Sequence, residues 1–548
     1  MKVDKLHIRT RFKNLENVKV DFDEDHLMTV VVGRNGSGKS NVLEALVAIF
    51  RNLDLGEAPP FSYVLNYRLG EPHKVNQRSE RWLEITIDAD PSRGTITKQY
   101  QVQVRDLLAA DAPQDLFEKQ PSAQVIPFSK VKRDKEGKAP YLPNYVFAYY
   151  SGPSDRLENH FKKHRTDFYR RLLKDELDLK GDIRPLFYAK PHHSQFVLLA
   201  FFLSEQDSAE KEFLREHLGI EGLDSIHFVM RQPGWAKKKG ELFWGARGVV
   251  RRFLDELIKY TLSPVKVTRQ EDASLTGGNI RNEFFHLFLP DVNSLRDFAK
   301  DLSPDELFKM LESTLLSEII SEVSIRVKIS SSDEPLTFRE LSEGEQQLLT
   351  VLGLLKFTGG KDSLFLLDEP DTHLNPSWAI KYLKFLRDFV PNKDASHVLM
   401  VTHHPLAIAE LRKEQVQVMW RDSEGQAFSN EPYMDPRGAG FMSILTEVFG
   451  LNSTLDSETQ KKLDQRNELA HMNNRTKEQD VQLELLNDEL DRLGFSFENR
   501  EPLYNDFLLA WQDLKYEDRP ILTPQQAVQR RLSMKKLIAT LKQNRGDQ

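Results

Sequence analysis

The chain has 548 residues, a formal net charge of −7, 29% charged residues and no cysteine. This length allows roughly two to four structural units around a large core, and the acidic balance argues against a surface that coats nucleic acid throughout. The lack of cysteine excludes disulfides, thiol catalysis and cysteine-ligated zinc. The longest apolar runs, such as Phe196 to Leu203, fall short of the ~18–20 residues that a membrane span needs. The N-terminus shows no apolar signal segment, so a cytoplasmic protein without membrane attachment is expected.

In chain order, Thr29-Val30-Val31-Val32 reads as a buried strand and Asn41 to Leu46 as a helix. Between them lies Gly33-Arg34-Asn35-Gly36-Ser37-Gly38-Lys39-Ser40, a G-x4-G-K-S loop in the strand–loop–helix context that a P-loop requires. Backbone N–H groups of such a loop curl around phosphate oxygens, Lys39 is placed for the β- and γ-phosphates, and the Ser40 hydroxyl for Mg²⁺. Gly33, Asn35, Gly36, Ser37, Gly38, Lys39, Ser40 and Asn41 are therefore candidate ATP-binding residues. Further on, Trp82 to Ile87 and Ile96 to Val104 carry β signals, Lys130 to Lys138 reads as a polar loop, and Tyr145 to Tyr150 as a buried strand ending at Ser151-Gly152-Pro153. Residues 155 to about 320 are mostly helical by periodicity, and Ile325 to Ile329 alternates as a strand returning to the core. Leu364-Phe365-Leu366-Leu367-Asp368-Glu369 is an apolar strand ending in two carboxylates, Val398 to His403 one ending in histidine, and residues 435–548 are helical and charged.

With the P-loop, three further motifs in order carry a family resemblance. Leu341-Ser342-Glu343-Gly344-Glu345-Gln346-Gln347 resembles the signature of ABC ATPases, Asp368-Glu369 their Walker B, and His403 their switch histidine. Lys39 and Ser342 are 303 positions apart, against roughly a hundred in transporter ATPases. That spacing, and the opening from Leu6 to Phe22, are similar to the SMC/Rad50/RecF side of the superfamily. Sustained heptads are absent, so long coiled coils are not expected. Among relatives of that compact kind the chain most resembles the Septu-type PtuA ATPases of anti-phage systems, including their retron-associated form.

The resemblance implies an α/β fold: a P-loop ABC-type ATPase head split by a mostly helical insert, with a helical C-terminal region. Its divisions would be residues 1–110 (first lobe with Walker A), 111–335 (connecting strand and insert), 336–420 (second lobe with signature, Walker B and switch histidine) and 421–548 (helical region). It implies that Asp368 and Ser40 hold Mg²⁺, that Glu369 polarises the attacking water, and that His403 bonds the γ-phosphate. Ser342 and Gly344 would cap an ATP held by a second copy, giving a homodimer or a higher even-numbered oligomer. Asn375 stands at the D-loop position, where many relatives carry Asp or His. No glutamine follows the 145–150 strand, which leaves the Q-loop unassigned.

The implied function is an ATPase controlling an HNH-type effector nuclease, with a reverse transcriptase and its DNA or RNA product as further partners. A RecF-like repair ATPase and a slow-turnover scaffold are the alternatives. A third is a nuclease of its own, since Arg466 and His471 match the R-x4-H pattern of HEPN ribonucleases, although such pairs are usually plain helix surface. No TOPRIM carboxylate set or HNH pattern is recognisable in the sequence. Two basic blocks, Arg231 to Arg252 with Trp235, Phe243 and Trp244 interleaved, and Gln529 to Arg545, suit either solvated helices or phosphate contacts.

Overall fold

The computed structural model describes residues 1–72, 79–110, 123–134, 137–174, 184–236, 241–274, 277–358, 360, 362–451, 453, 455–472, 475–493, 529–530, 532–533 and 536. The chain divides into two compact units: Met1–Val31 with Gly38–Ala407, and Val32–Ser37 with Ile408–Gln548.

The first unit opens with β1 (Lys2–Ile8), β2 (Val18–Asp21) and β3 (Met28–Gly33), followed by α1 (Lys39–Leu55). Then come β4 (Tyr63–Gly70), β5 (Trp82–Ala89), the short α2 (Ile96–Gln99), β6 (Tyr100–Asp106), the short α3 (Leu107–Ala110) and β7 (Gln124–Ile126). Strands β2-β1-β4-β5-β6-β7 form an antiparallel sheet. Along β4, Tyr63, Leu65, Tyr67 and Leu69 are fully buried while the alternate residues are half-buried, the period-two pattern of a sheet with one face on a core. The expected strand from Ile96 begins at Tyr100 instead. Ile96–Gln99 forms one helical turn, closed by the Gln99 amide on the carbonyls of Pro91 and Gly94.

A second sheet carries the site. β8 (Tyr145–Tyr150), β9 (Leu186–Tyr188), β15 (Ser363–Asp368) and β16 (Ser396–Val401) run parallel with β3 in the order β3-β16-β15-β8-β9. β3, β15 and β16 are buried at every residue, which is why they read as unbroken apolar runs. In register, Asp368 lies beside Val401 on one flank and Tyr150 on the other, and Val401 beside Val31. The carboxyl ends of β8, β15 and β16 are thus level and β3 runs two residues further, at the edge where open α/β sheets bind ligands.

Between β8 and β15 the chain builds α4 (Glu158–Leu173), α5 (His193–Leu203), α6 (Ala209–Leu218), β10 (Ile220–Arg231), α7 (Gly248–Leu257), β11 (Val265–Ser274) and β12 (Gly277–Leu289). It continues with α8 (Val292–Phe298), α9 (Pro304–Leu316), β13 (Ile320–Ile329), β14 (Ser332–Thr337) and α10 (Glu343–Thr358). α5 is buried at every residue from His193 to Phe202 except Gln195 and is apolar from Phe196 to its end, so it is a core helix. The segment is less uniformly helical than its periodicity predicts, because β11-β12-β10-β13-β14 form an antiparallel sheet within it. The strand around Ile325–Ile329 belongs to this sheet, paired with β10 and β14, and does not return to the parallel one. Phe243 and Trp244 are buried, and the half-buried Trp235 donates its indole N–H to the Ser317 carbonyl. This places Phe243 and Trp244 in packing and removes them as stacking platforms; Lys237, Lys238 and Lys239 lie outside the described residues. α11 (Pro376–Phe389), capped by the Asn375 side chain on Trp378 N–H at 3.0 Å, joins β15 to β16.

In the second unit, β17 (Val416–Arg421) and β18 (Ala427–Asn430) form a hairpin with Trp420 stacked on Phe428. Gly33 has no room for a side chain: a Cβ there would lie 2.1 Å from the Met419 carbonyl oxygen. α12 (Phe441–Glu447), α13 (Ser457–His471) and α14 (Lys477–Arg492) follow the hairpin. Of the Gln529–Arg545 basic block only Gln529, Arg530, Leu532, Ser533 and Lys536 are described, and Arg530 lies 3.4 Å from Glu447. Among the described residues no helix is long and apolar enough to cross a membrane.

Candidate functional site

The P-loop turns into α1 at Gly38, whose φ of 108° lies in the left-handed region. Ahead of it Arg34, Asn35 and Gly36 are exposed, and the buried Ser37 donates its N–H to the Arg34 carbonyl at 3.3 Å. The Gly36 carbonyl accepts from Arg421 Nε at 2.9 Å. Lys39 opens α1 and is only 4% exposed. Burial pushes its ammonium down to about 8, against the opposing pull of Glu369 and Asp368.

Ser40, one residue on, donates its hydroxyl to Asp368 Oδ1 at 2.9 Å. Asp368 is 2% exposed, and its carboxyl is raised to about 6 because desolvation outweighs the Ser40 bond and the nearby Arg156. Arg156 Nη2 lies 3.0 Å from the other carboxylate oxygen, and its guanidinium sits 5.1 Å over the Tyr150 ring. Asn41 donates to Asn14 at 2.7 Å and lies 3.4 Å from Arg156 Nη1.

Glu369 leaves the strand with φ 53°, a conformation uncommon for a residue with a Cβ, while its N–H still donates to the Val401 carbonyl at 2.9 Å. This turn aims its carboxylate at His403 Nε2, 2.9 Å away, and that hydrogen bond holds Glu369 below the usual carboxylate range. Strand β16 ends at Val401, so Thr402 and His403 stand just past its carboxyl end. Thr402 donates its hydroxyl to Asp371 at 2.6 Å and accepts from His404 N–H at 2.8 Å, fixing the segment that carries His403.

The signature begins α10. Ser342 is the exposed cap, its hydroxyl and N–H both on the Glu345 carboxylate at 2.8 and 2.7 Å. Gly344 packs so closely that a Cβ would lie 2.5 Å from the His373 carbonyl oxygen. One turn on, buried Gln347 donates to the Glu369 carbonyl at 3.3 Å and accepts from His373 N–H at 3.2 Å. Thr372 donates to the same Glu369 carbonyl at 2.7 Å and meets the Ser151 hydroxyl at 3.0 Å.

Lys39, Ser40, Asp368, Glu369 and His403 thus converge on one sheet edge. Arg156, Gln347, Asp371 and Thr372 are contributors that motif reading missed. Gln347 lies within the signature itself, and Asp371 and Thr372 closely follow the Walker B carboxylates. Arg156 had no spacing signal. Arg466 and His471 do not converge in this way: Arg466 Nε donates to Asn487 at 2.8 Å, and His471 Nδ1 lies 2.9 Å from the Asn467 carbonyl.

Residues 1–186 match the family model "AAA ATPase domain", and residues 270–409 the model "AAA domain, putative AbiEii toxin, Type IV TA system". The chain is 25% identical over 195 residues to the Septu protein PtuA of Bacillus mycoides (strain KBAB4), covering 33% of this chain and 27% of that protein. It is 24% identical over 218 residues to the Septu protein PtuA of Bacillus thuringiensis, covering 35% of this chain and 54% of that one. These matches span about a quarter and about half of the two relatives' lengths. A solved SMC head domain from Thermotoga maritima aligns with a TM-score of 0.31 at 11% identity, over 79% of this chain and 99% of that one.

Proposed function

We propose that this chain, an SMC/Rad50-like ABC-type ATPase resembling the PtuA proteins, binds ATP with Mg²⁺ and hydrolyses it as a head-to-tail dimer that controls a partner nuclease. The observation that carries the reading is the meeting of Ser40 with Asp368 at 2.9 Å, beside Lys39 and the Glu369–His403 pair. The residues fit the ligands. Lys39 is an ammonium whose burial already disfavours its charge, which a phosphate would restore, and a hydroxyl with an adjacent carboxylate suits a hard cation. Bound Mg²⁺ would neutralise charge on the β- and γ-phosphate oxygens.

The chain's own groups divide the remaining work. Lys39 balances phosphate charge, and Ser40 and Asp368 hold the cation. Glu369, kept ionised by His403, orients the attacking water and accepts its proton, a contribution of about 10²–10⁴-fold. Ser342 and Gly344 present the start of α10 to the nucleotide of a second copy. Residues 1–110 and 336–420 act as the two lobes, 111–335 as the connecting strand and insert, and 421–548 as a helical C-terminal region. Similarity to the Septu PtuA proteins supports an anti-phage role; the location proposed for it is the cytoplasm, and the partners proposed are an HNH-type effector nuclease and, in a retron setting, a reverse transcriptase with its nucleic-acid product.

ATP turnover and mass-resolved chromatography test this on purified chain. Wild type should release phosphate, and Glu369→Gln should bind ATP, lose about 10²-fold or more in rate and accumulate as a dimer. A Glu369→Gln chain that turns over at the wild-type rate contradicts the assignment.

A further inference from the structure

A guanidinium faces the second oxygen of the carboxylate assigned to the metal. Asp368 offers Oδ1 to Ser40 at 2.9 Å and Oδ2 to Arg156 at 3.0 Å, and its side chain is only 3% exposed. A carboxylate so enclosed needs a positive partner whether or not nucleotide is present. A divalent cation on the same carboxylate would be repelled by Arg156 with little screening, so the two positive partners compete for Asp368.

We propose that Arg156 is a positioning residue that stands in for the divalent cation on Asp368 and re-pairs with the γ-phosphate when ATP is bound. The proposal rests on the nucleotide-site reading above. Three features favour a side-chain swing over movement of the whole loop. Ser151 anchors the loop start, its N–H on the Asp368 carbonyl at 3.3 Å and its hydroxyl on Thr372 at 3.0 Å. Glu158, two residues past Arg156 and first in α4, is held by Arg165 at 2.8 Å and Lys190 at 2.7 Å. Arg156 itself keeps 30% exposure, so it has room to turn, and the Tyr150 ring at 5.1 Å offers a surface on which the guanidinium can rotate.

The destination follows from the same contacts. Nη1 is 3.4 Å from Asn41 Oδ1, on the first turn of α1, so the guanidinium already bridges Asp368 and the helix start where phosphate binds. A guanidinium fork matches two oxygens of a phosphate, which an ammonium does not. Arg156 would then make the site respond to the third phosphate: with ADP it stays on Asp368 and competes with the cation, and with ATP it lets go.

The test is calorimetric titration of Mn²⁺ into the ADP-saturated chain, together with ATP and ADP affinities in Mg²⁺, for wild type, Arg156→Gln, Arg156→Lys and Lys39→Ala. Arg156→Gln should tighten Mn²⁺ binding with ADP about tenfold, and Arg156→Lys should leave it near wild type because the charge remains. The preference for ATP over ADP should fall about tenfold in both Arg156 variants, since neither keeps the fork. Unchanged or weaker Mn²⁺ binding in Arg156→Gln, or an unchanged ATP preference, overturns the proposal while Lys39→Ala still loses nucleotide. Wild-type affinity in Lys39→Ala would instead overturn the nucleotide site and this proposal with it.

Discussion

Gln347 joins the helix that starts at the signature to the strand end that carries the two carboxylates. Its amide donates to the Glu369 carbonyl at 3.3 Å and accepts from the His373 N–H at 3.2 Å. Any rotation of α10 therefore pulls on the backbone of Glu369, whose φ of 53° already requires outside support.

Gln347→Leu fills similar space but leaves the Glu369 carbonyl with Thr372 alone and strips the His373 N–H of its Gln347 acceptor. The expected cost is about 1–3 kcal/mol of stability. Nucleotide affinity should stay within about twofold, because Lys39 and Ser40 are untouched, while turnover falls about tenfold or more. Denaturant melts and phosphate-release rates measure both. A variant with full turnover would mean that the bond does not hold Glu369 in place.

Nucleotide affinity should depend on pH through Lys39, whose ammonium burial pushes down to about 8. The protonated form binds phosphate, so affinity is level below that value and declines as pH rises through it, by at most about tenfold per unit. Bound phosphate favours the ammonium, so binding takes up a proton in the alkaline range. Calorimetric affinities at pH 7, 8 and 9, with Lys39→Ala as a weaker and flatter control, provide the check. A flat wild-type profile across this range would separate Lys39 from the phosphates.

The assignments legible in the sequence were those written into short, contiguous patterns. Lys39 and Ser40 follow a wholly buried strand, and Asp368 and Glu369 end another, so apolar runs buried on both faces pointed directly at the polar residues beyond them. Arg156 was not legible, because its meaning lies in a contact with a residue 212 positions away. The antiparallel sheet of the insert was missed for a different reason. β10 slips register against β13 at three places, which breaks its alternation, and the first six residues of β11, Val265 to Gln270, are exposed apart from the half-buried Val267.

Arg466 and His471 lie on α13, where Arg466 reaches across to Asn487 on α14 and His471 turns back onto its own helix. His471→Ala should therefore leave ATP turnover, RNA integrity and biological activity unchanged. Loss of RNA cleavage with intact ATP turnover would reinstate a nuclease at this helix.

If each ATP is enclosed by the P-loop of one copy and the signature of another, two chains defective in different halves of the site must complement each other in trans. Ser342→Arg removes the cap on α10, a local cost of about 1 kcal/mol, and sets a bulky cation where a small donor would meet the partner's phosphate. Alone, Ser342→Arg should bind ATP but neither dimerise nor turn over, and Lys39→Ala alone should not bind. A doubly tagged, purified heterodimer of the two contains one intact site, formed by the Ser342→Arg P-loop and the Lys39→Ala signature, and should regain hydrolysis above either parent. Full activity in Ser342→Arg alone, or a heterodimer no faster than its parents, would contradict composite sites.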